Sequence, residues 1–262
     1  MILKAAFHGL TDVGLMREHN EDSILWDTDL GMALLADGMG GHNAGEVASA
    51  MAVEQVRAAL REAFLARDCE EKADCSEVVR QAIHTANQRI WDASQENTEC
   101  AGMGTTLVLA LLHDGDMVTA HVGDSRIYRL RDGVLEQITS DHSLVQELVD
   151  NGYLSQEEAK LSVSRNLITR ALGIGAEVEV EVSQEPAQPG DLYLLCSDGL
   201  SDMVTDSEMG AILQEPDPDL DETARRLVDL ANRKGGNDNI SVILMTVREA
   251  FSDDKGLTDS VG

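Results

Sequence analysis

Aromatic residues are scarce: three Phe, three Tyr and two Trp make up 3% of 262 residues. A core of the size this length allows must therefore be filled by Leu, Val, Ile, Ala and Met. Cysteine is scarce as well. Cys69, Cys75, Cys100 and Cys196 form no Cys-x-x-Cys pair, and the seven scattered histidines add no zinc-like spacing. Neither a disulfide framework nor a zinc module is implied, and reduced thiols in a cytoplasmic protein are expected. Long apolar runs are missing. The longest, Leu107 to Leu112, is far below the roughly 20 residues of a membrane helix. Lys4 and His8 interrupt the opening segment, which lacks the apolar centre of a signal peptide. Above all, positive charge is short: 20 Lys+Arg stand against 48 Asp+Glu, a net charge of −28. That balance argues against nucleic acid and anionic membranes as partners, because phosphates are bound by clustered Lys and Arg. The apolar fraction, 43%, is that of an ordinary globular chain, so the acidity does not signal disorder.

Strand-like runs around Phe7, at Ser23–Trp26 and at Met32–Ala36 precede two amphipathic helices. The first helix carries Ala48, Ala52, Val56, Ala59, Leu60, Ala63 and Phe64 on one stripe; the second carries Val78, Val79, Ala82, Ile83, Ala86 and Ile90. Asp74 with Glu77 three positions on suggests a capping box at the start of the second. Three strands in succession follow, at 105–112, 116–122 and 126–131, with Asp114-Gly115 and Asp132-Gly133 as turns. Short turns between consecutive strands mean antiparallel hairpins. Further strands are read at 178–182, 192–196 and 240–247, with a third amphipathic helix through Leu220, Ala224, Leu227, Val228 and Ala231. This succession predicts an α+β layered domain over 1–248 and a flexible tail over 249–262. No repeat and no Pro-rich linker divides the chain. The stretch Asp141–Gly173 interrupts the strands with short helical pieces, as an element inserted beside a site does.

In so acidic a chain an aspartate is informative only through its setting. Four settings stand out: Leu34-Leu35-Ala36-Asp37-Gly38, Leu194-Leu195-Cys196-Ser197-Asp198-Gly199, Gly235-Gly236-Asn237-Asp238-Asn239 and Val122-Gly123-Asp124-Ser125. Each places an Asp in a glycine- or asparagine-rich turn beside an apolar strand. Asp-Gly and Asn-Asp are ordinary turn formers. Four such turns invite another explanation, since gathered carboxylates need a cation between them. Asp oxygens and backbone carbonyls, without His or Cys, suit Mg2+ or Mn2+. A two-metal site activates water for in-line attack on phosphorus, and an Arg suits the phosphate. The loop Arg17-Glu18-His19-Asn20-Glu21-Asp22 supplies such an Arg with carboxylates beside it.

The sequence resembles the bacterial serine/threonine members of the metal-dependent protein phosphatases, the protein phosphatase 2C type. The resemblance rests on an ordered set: Thr11-Asp-Val-Gly14 with Arg17-x-x-Asn-Glu-Asp22, Asp37-Gly-Met-Gly-Gly-His42, Gly102-Met-Gly-Thr-Thr-Leu107, Val122-Gly-Asp-Ser-Arg126 and Thr139-Ser-Asp-His-Ser-Leu144. It continues through Arg165-Asn-x-x-Thr-Arg-Ala-Leu-Gly173, Ser197-Asp-Gly-Leu200 and Gly236-Asn-Asp-Asn-Ile-Ser-Val242. Each segment is weak alone; together they span nearly the whole chain.

The resemblance implies a four-layer α-β-β-α sandwich, two antiparallel sheets flanked by helical hairpins, with 141–173 as the flap. It implies two tightly bound Mg2+ or Mn2+ ions and a third, weaker one. Asp37 is then the bridging ligand, the Gly38 carbonyl a ligand of the first ion, Asp198 and Asp238 ligands of the second, and Asp22 a carboxylate acting directly or through water. Asp124, with Asp198, holds the third ion, and Arg17 grips the substrate phosphate. His42 is a candidate proton donor, with a turn-stabilising role as the alternative; His19 and His142 read as structural or solvent-facing. Ser162-Val163 stand where family flaps often carry His-Pro, a change in flap packing or substrate choice. The implied reaction is hydrolysis of phosphoserine and phosphothreonine in proteins by a metal-bridged water, without a phosphoenzyme. Phosphoproteins, a counterpart Ser/Thr kinase and a monomeric state are the implied partners and assembly. Two alternatives remain open: a catalytically inactive binding module of the same fold, and a regulatory phosphatase acting on anti-sigma-factor antagonists.

Overall fold

Strand β3 (Met32–Met39) carries no polar residue before Asp37 because both of its faces are covered. Met32, Leu34 and Ala36 point into a helical layer, while Ala33 and Leu35 point at a second sheet. The same alternation organises the computed structural model, which describes residues 2–40, 44–65, 74–155, 158–159, 167–215 and 219–250.

One sheet runs β2 (Asp22–Asp27), β3, β5 (Leu107–His113), β6 (Asp116–Val122), β9 (Glu181–Pro186), with the two-residue β4 (Gly104–Thr105) against the end of β3. The other runs β1 (Leu3–Asp12), β11 (Ile240–Glu249), β10 (Leu192–Cys196), β7 (Arg126–Arg131), β8 (Val134–Gln137). Every pairing is antiparallel. Between the sheets lie Ala33, Leu35, Val108, Ile127, Tyr193 and Ile243. Helices α1 (Ala44–Leu65) and α2 (Cys75–Glu96) cover the outer face of the first sheet through Leu60, Ile83 and Ile90. The short α4 (Asp198–Ser201), α5 (Asp206–Leu213) and α6 (Leu220–Arg233) cover the second through Leu200, Met209 and Leu227. This is the expected four-layer α-β-β-α sandwich. Among the described residues, no helix is long and apolar enough to cross a membrane.

Several local expectations are corrected. Asp74 does cap α2, but its carboxylate accepts from the Ser76 backbone N–H, and Glu77 closes no reciprocal box. The strand expected over 105–112 is broken at Thr106, whose backbone and hydroxyl are both bonded to Asp37 instead of continuing a ladder. The strand expected over 178–182 begins three residues later and ends four later, at 181–186. Its pairing with β6 starts at Glu181 opposite His121, and just beyond His121 the partner chain turns away at Gly123. Strand β8 and helices α4 and α5 are too short to leave a period in the sequence. The final strand, expected over 240–247, extends through Glu249, and the Ala250 N–H bonds to the Ile2 carbonyl. The remainder of the expected tail lies outside the described residues.

Within the flap, α3 (Leu144–Asp150) is capped by Ser143, whose hydroxyl accepts from the Gln146 N–H at 3.2 Å. The two stems are bonded to each other, and the second also to the body. Leu144 N–H bonds to the Leu167 carbonyl, Thr169 N–H to the His142 carbonyl, and Leu172 exchanges both backbone bonds with Thr105. Ser162-Val163 lie outside the described residues.

Candidate metal centre

Asp22 and Asp37 stand directly opposite each other in the β2–β3 register. Asp198 opens α4 directly after its N-cap Ser197, Asp238 lies two residues before β11, and Asp124 two residues after β6. Strand ends thus deliver five carboxylates to one place. The crossing at Asp37 needs a glycine next to it: a Cβ on Gly38 would lie 2.6 Å from the Glu21 carbonyl oxygen and inside the Gly45 backbone.

A frame of short hydroxyl and amide side chains holds these turns. Asp37 N–H donates to Thr106 Oγ1 at 3.0 Å, and the Asp37 carbonyl accepts from Thr106 N–H and Thr105 Oγ1, both at 2.9 Å. Thr106 Oγ1 is 2.7 Å from Ser125 Oγ, which ties the Asp37 turn to the residue after Asp124. Ser197 Oγ donates to Asp22 Oδ2 at 2.9 Å and accepts from the Ser241 N–H at 3.0 Å. Asn239 clamps the loop that carries Arg17. Its amide nitrogen donates to the Val13 and His19 carbonyls at 2.9 Å, and its oxygen accepts from Glu21 N–H at 2.8 Å. The Gly236 carbonyl accepts from Leu15 and Met16 N–H, so the same loop rests on the turn that carries Asp238. Arg17 then reaches Asp238, with an Nη2···Oδ2 distance of 2.6 Å.

The electrostatics are those of carboxylates crowded together out of water. Burial, followed by the charges of Asp22, Asp198, Asp124 and Asp238, drives the Asp37 carboxyl well above the usual carboxylate range. Asp198 is raised well above it too, by burial and then by Asp124, Asp238 and Asp202. Burial pushes Asp22 up to about 6 even though Ser241 and Ser197 hydrogen-bond its charged form. Asp124 is pushed up to about 6 by burial and by Asp141. One oxygen of Asp22, Oδ1, is fully buried without a hydrogen-bond partner. An orphaned buried carboxylate oxygen among mutually repelling carboxylates fits a bound cation. The donors are all oxygen, which selects hard divalent ions of the Mg2+ and Mn2+ kind.

The protein phosphatase 2C family model matches residues 16–245. The chain belongs to the protein phosphatase 2C family. It is 42% identical over 238 residues to a serine/threonine phosphatase, stp, of Listeria monocytogenes, covering 90% of this chain and 93% of that protein. Among solved structures, the Mycobacterium tuberculosis serine/threonine phosphatase PstP superposes with a TM-score of 0.84 at 42% identity, covering 94% of this chain and 100% of that one. The PstP catalytic domain in complex with two manganese ions gives a TM-score of 0.81 at 42% identity, over 95% and 100%.

Of the residues expected from the sequence, the fold of this family member brings together Asp22, Asp37, Asp124, Asp198 and Asp238, with Gly38 beside Asp37 and Arg17 on Asp238. His42 lies outside the described residues. Sequence reasoning gave no role to Asp202, whose charge acts on both Asp124 and Asp198, or to the frame of Thr105, Thr106, Ser125, Ser197, Asn239 and Ser241. The available signal was a Ser, Thr or Asn adjoining each Asp turn or the strand segment facing it.

Proposed function

We propose that this chain hydrolyses phosphoserine and phosphothreonine in proteins at the carboxylate cluster, with divalent cations as cofactors. Asp37, the Gly38 carbonyl, Asp198, Asp238 and Asp22 would hold two ions, and Asp124 with Asp198 a third, weaker one. The observation that carries this reading is the gathering of Asp22, Asp37, Asp124, Asp198 and Asp238 around the orphaned, buried Asp22 Oδ1, with burial raising the first four above the ordinary carboxylate range. When bound, such ions supply Lewis acidity toward the phosphoryl group and a water of lowered pKa.

The remaining work falls to residues of the chain. Arg17 is half exposed and uses one nitrogen on Asp238, leaving further N–H donors of its fork for phosphoryl oxygens. Asn239 and the Gly236 carbonyl hold its loop, so the guanidinium is oriented before substrate arrives. His42 is proposed as the donor of a proton to the leaving serine or threonine oxygen. A counterpart Ser/Thr kinase, a cytoplasmic location and a monomeric state complete the reading.

The test is hydrolysis of phosphoserine and phosphothreonine peptides by purified protein with Mn2+, Mg2+ or chelator. Mn2+-stimulated release of phosphate, lost in Asp198→Ala, is expected. Activity that survives chelation, or an Asp198→Ala variant as active as wild type, would refute it. An inactive module of the same fold predicts no turnover of any phosphopeptide.

A further inference from the structure

A second knot of polar side chains is packed beneath the base of the flap. His121 on β6 and His142 just before α3 are buried and stacked, with ring centroids 4.5 Å apart and planes 24° from parallel. Glu181 of β9 faces both: its Oε1 is 3.0 Å from His142 Nε2, and its Oε2 is 3.9 Å from His121 Nε2. One potential ligand atom from each of the three lies within 4.8 Å of the others, a spacing that invites a transition metal.

The hydrogen bonds decide otherwise. The Gly123 backbone N–H donates to His142 Nδ1 at 3.1 Å, so Nδ1 carries the lone pair and the ring proton sits on Nε2. That proton points at Glu181. A metal on Nε2 would require the proton to move to Nδ1, where it would oppose the Gly123 N–H. His121 Nε2 lies 2.8 Å from the Ser140 carbonyl, which can only accept. Both Nε2 atoms are therefore donors. Arg170 Nη1, 3.3 Å from both Glu181 Oε1 and His142 Nε2, adds a cation where a metal would have to sit; with the ring proton on Nε2, it donates to Glu181 and not to the ring. Burial holds both imidazoles below their ordinary value, which favours these neutral forms.

We propose that His142 is a positioning residue for the reaction: its Nδ1 holds the Gly123 N–H and so orients the Gly123–Asp124 turn that presents Asp124 to the metal centre. The bond is half of a reciprocal clasp, because His142 N–H donates back to the Gly123 carbonyl at 2.9 Å. Both backbone polar groups of Gly123 are thus spent on one flap residue. Gly123 has a φ of +104°, and a Cβ there would lie 2.6 Å from Thr106 Cγ2, so the turn has little room to relax. The His142 carbonyl accepts from Thr169 N–H at 2.8 Å, so the two stems of the flap meet at the residue from which Asp124 hangs. Flap placement and the Asp124 carboxylate are coupled through a single imidazole. The proposal rests on the reading of Asp124 as a cation ligand.

Two variants separate the nitrogens. His142→Asn places an acceptor oxygen near the Nδ1 position; His142→Gln reaches toward Glu181 but leaves the Gly123 N–H without a partner. In 15N-labelled full-length chain, exchange of the Gly123 amide should be about tenfold faster in His142→Gln, the equivalent of one hydrogen bond, and near wild type in His142→Asn. Calorimetric Mn2+ titration should show the weakest binding step loosened by a similar factor in His142→Gln and rescued in His142→Asn. In the unmodified protein, a scalar coupling between Gly123 15N and His142 15Nδ1 should report the bond directly, so the test survives a variant that fails to fold. Absence of that coupling, or equal exchange in the two variants, would overturn the clasp. Normal Mn2+ binding in His142→Gln, with loss of the weakest step in Asp124→Ala, would overturn the positioning role alone. Unchanged Mn2+ binding in Asp124→Ala would instead overturn the underlying reading of Asp124.

Discussion

Arg17 and Asp238, 221 residues apart, are joined by a 2.6 Å ion pair between a phosphate-binding candidate and a metal-ligand candidate. Both side chains are partly exposed, so the pair is a matter of orientation more than of stability. Replacing Arg17 should therefore spare the fold and the metals while weakening the grip on the phosphoryl group. Arg17→Ala is expected to lower kcat/KM on phosphopeptides by roughly 10²-fold or more, with Mn2+ stoichiometry unchanged. Arg17→Lys should recover little, because an ammonium cannot reproduce the planar fork. Steady-state kinetics with parallel calorimetry check this; a fully active Lys variant would contradict it.

Raised carboxyls carry a pH signature. In the metal-free chain burial raises Asp22 and Asp124 to about 6, and Asp37 and Asp198 well above their ordinary value of 3.8. The folded state then holds more protons than the unfolded one, so stability falls as pH rises through the folded values. The Tm of metal-free protein should drop as pH rises from about 4 through about 6, and Asp37→Asn should flatten that slope and raise the Tm at neutral pH. His121 and His142, held below 6.5, act in the opposite sense as pH falls, so the Asn comparison isolates the carboxylates. Identical slopes in the two proteins would defeat the prediction.

Metal should remove the same penalty. At about 100 times its dissociation constant, Mn2+ contributes about 2.7 kcal/mol, a Tm rise of roughly 5–10 °C for a chain of this size. The affinity should weaken below pH 6, where protons compete for Asp22 and Asp124. Scanning calorimetry with and without Mn2+ at several pH values measures both effects.

The frame behind the carboxylates is open to test at Thr106. Thr106→Val keeps the shape but leaves the Asp37 N–H and the buried Ser125 hydroxyl without their partner. Each unsatisfied group costs about 1–3 kcal/mol, so a fall in stability of about 2–6 kcal/mol is expected together with weaker Mn2+ binding. A drop in Tm with metal affinity intact would mean that the frame supports the core and not the site.

Beside Asp124 and Asp198 lies a groove of about 540 Å3 lined also by Asp141, Asp202 and Asp206, with Arg126 as a lining cation already paired to Asp141. On a chain of net charge −28, phosphopeptides with Arg or Lys near the phosphosite should be favoured. Their advantage in kcat/KM over acidic peptides should shrink with added salt. Equal values at low ionic strength would reject the expectation.

The sequence by itself determined the layers, and for a plain reason. Runs such as Met32–Ala36 and Leu192–Cys196, apolar on both faces, can only lie between other layers, and Asp-Gly or Asn-Asp turns mark where such runs meet solvent. Asp37, Asp124, Asp198 and Asp238 were legible from those turns, and Arg17 and Asp22 from the loop before β2. Only the tertiary structure decided which hydroxyls and amides hold them. Thr106, Ser197 and Asn239 act across 69, 175 and 218 residues, and a hydrogen bond between distant segments leaves no period in a sequence. His142 shows this most clearly. Its role depends on which ring nitrogen faces Gly123, a fact of geometry that no residue pattern encodes.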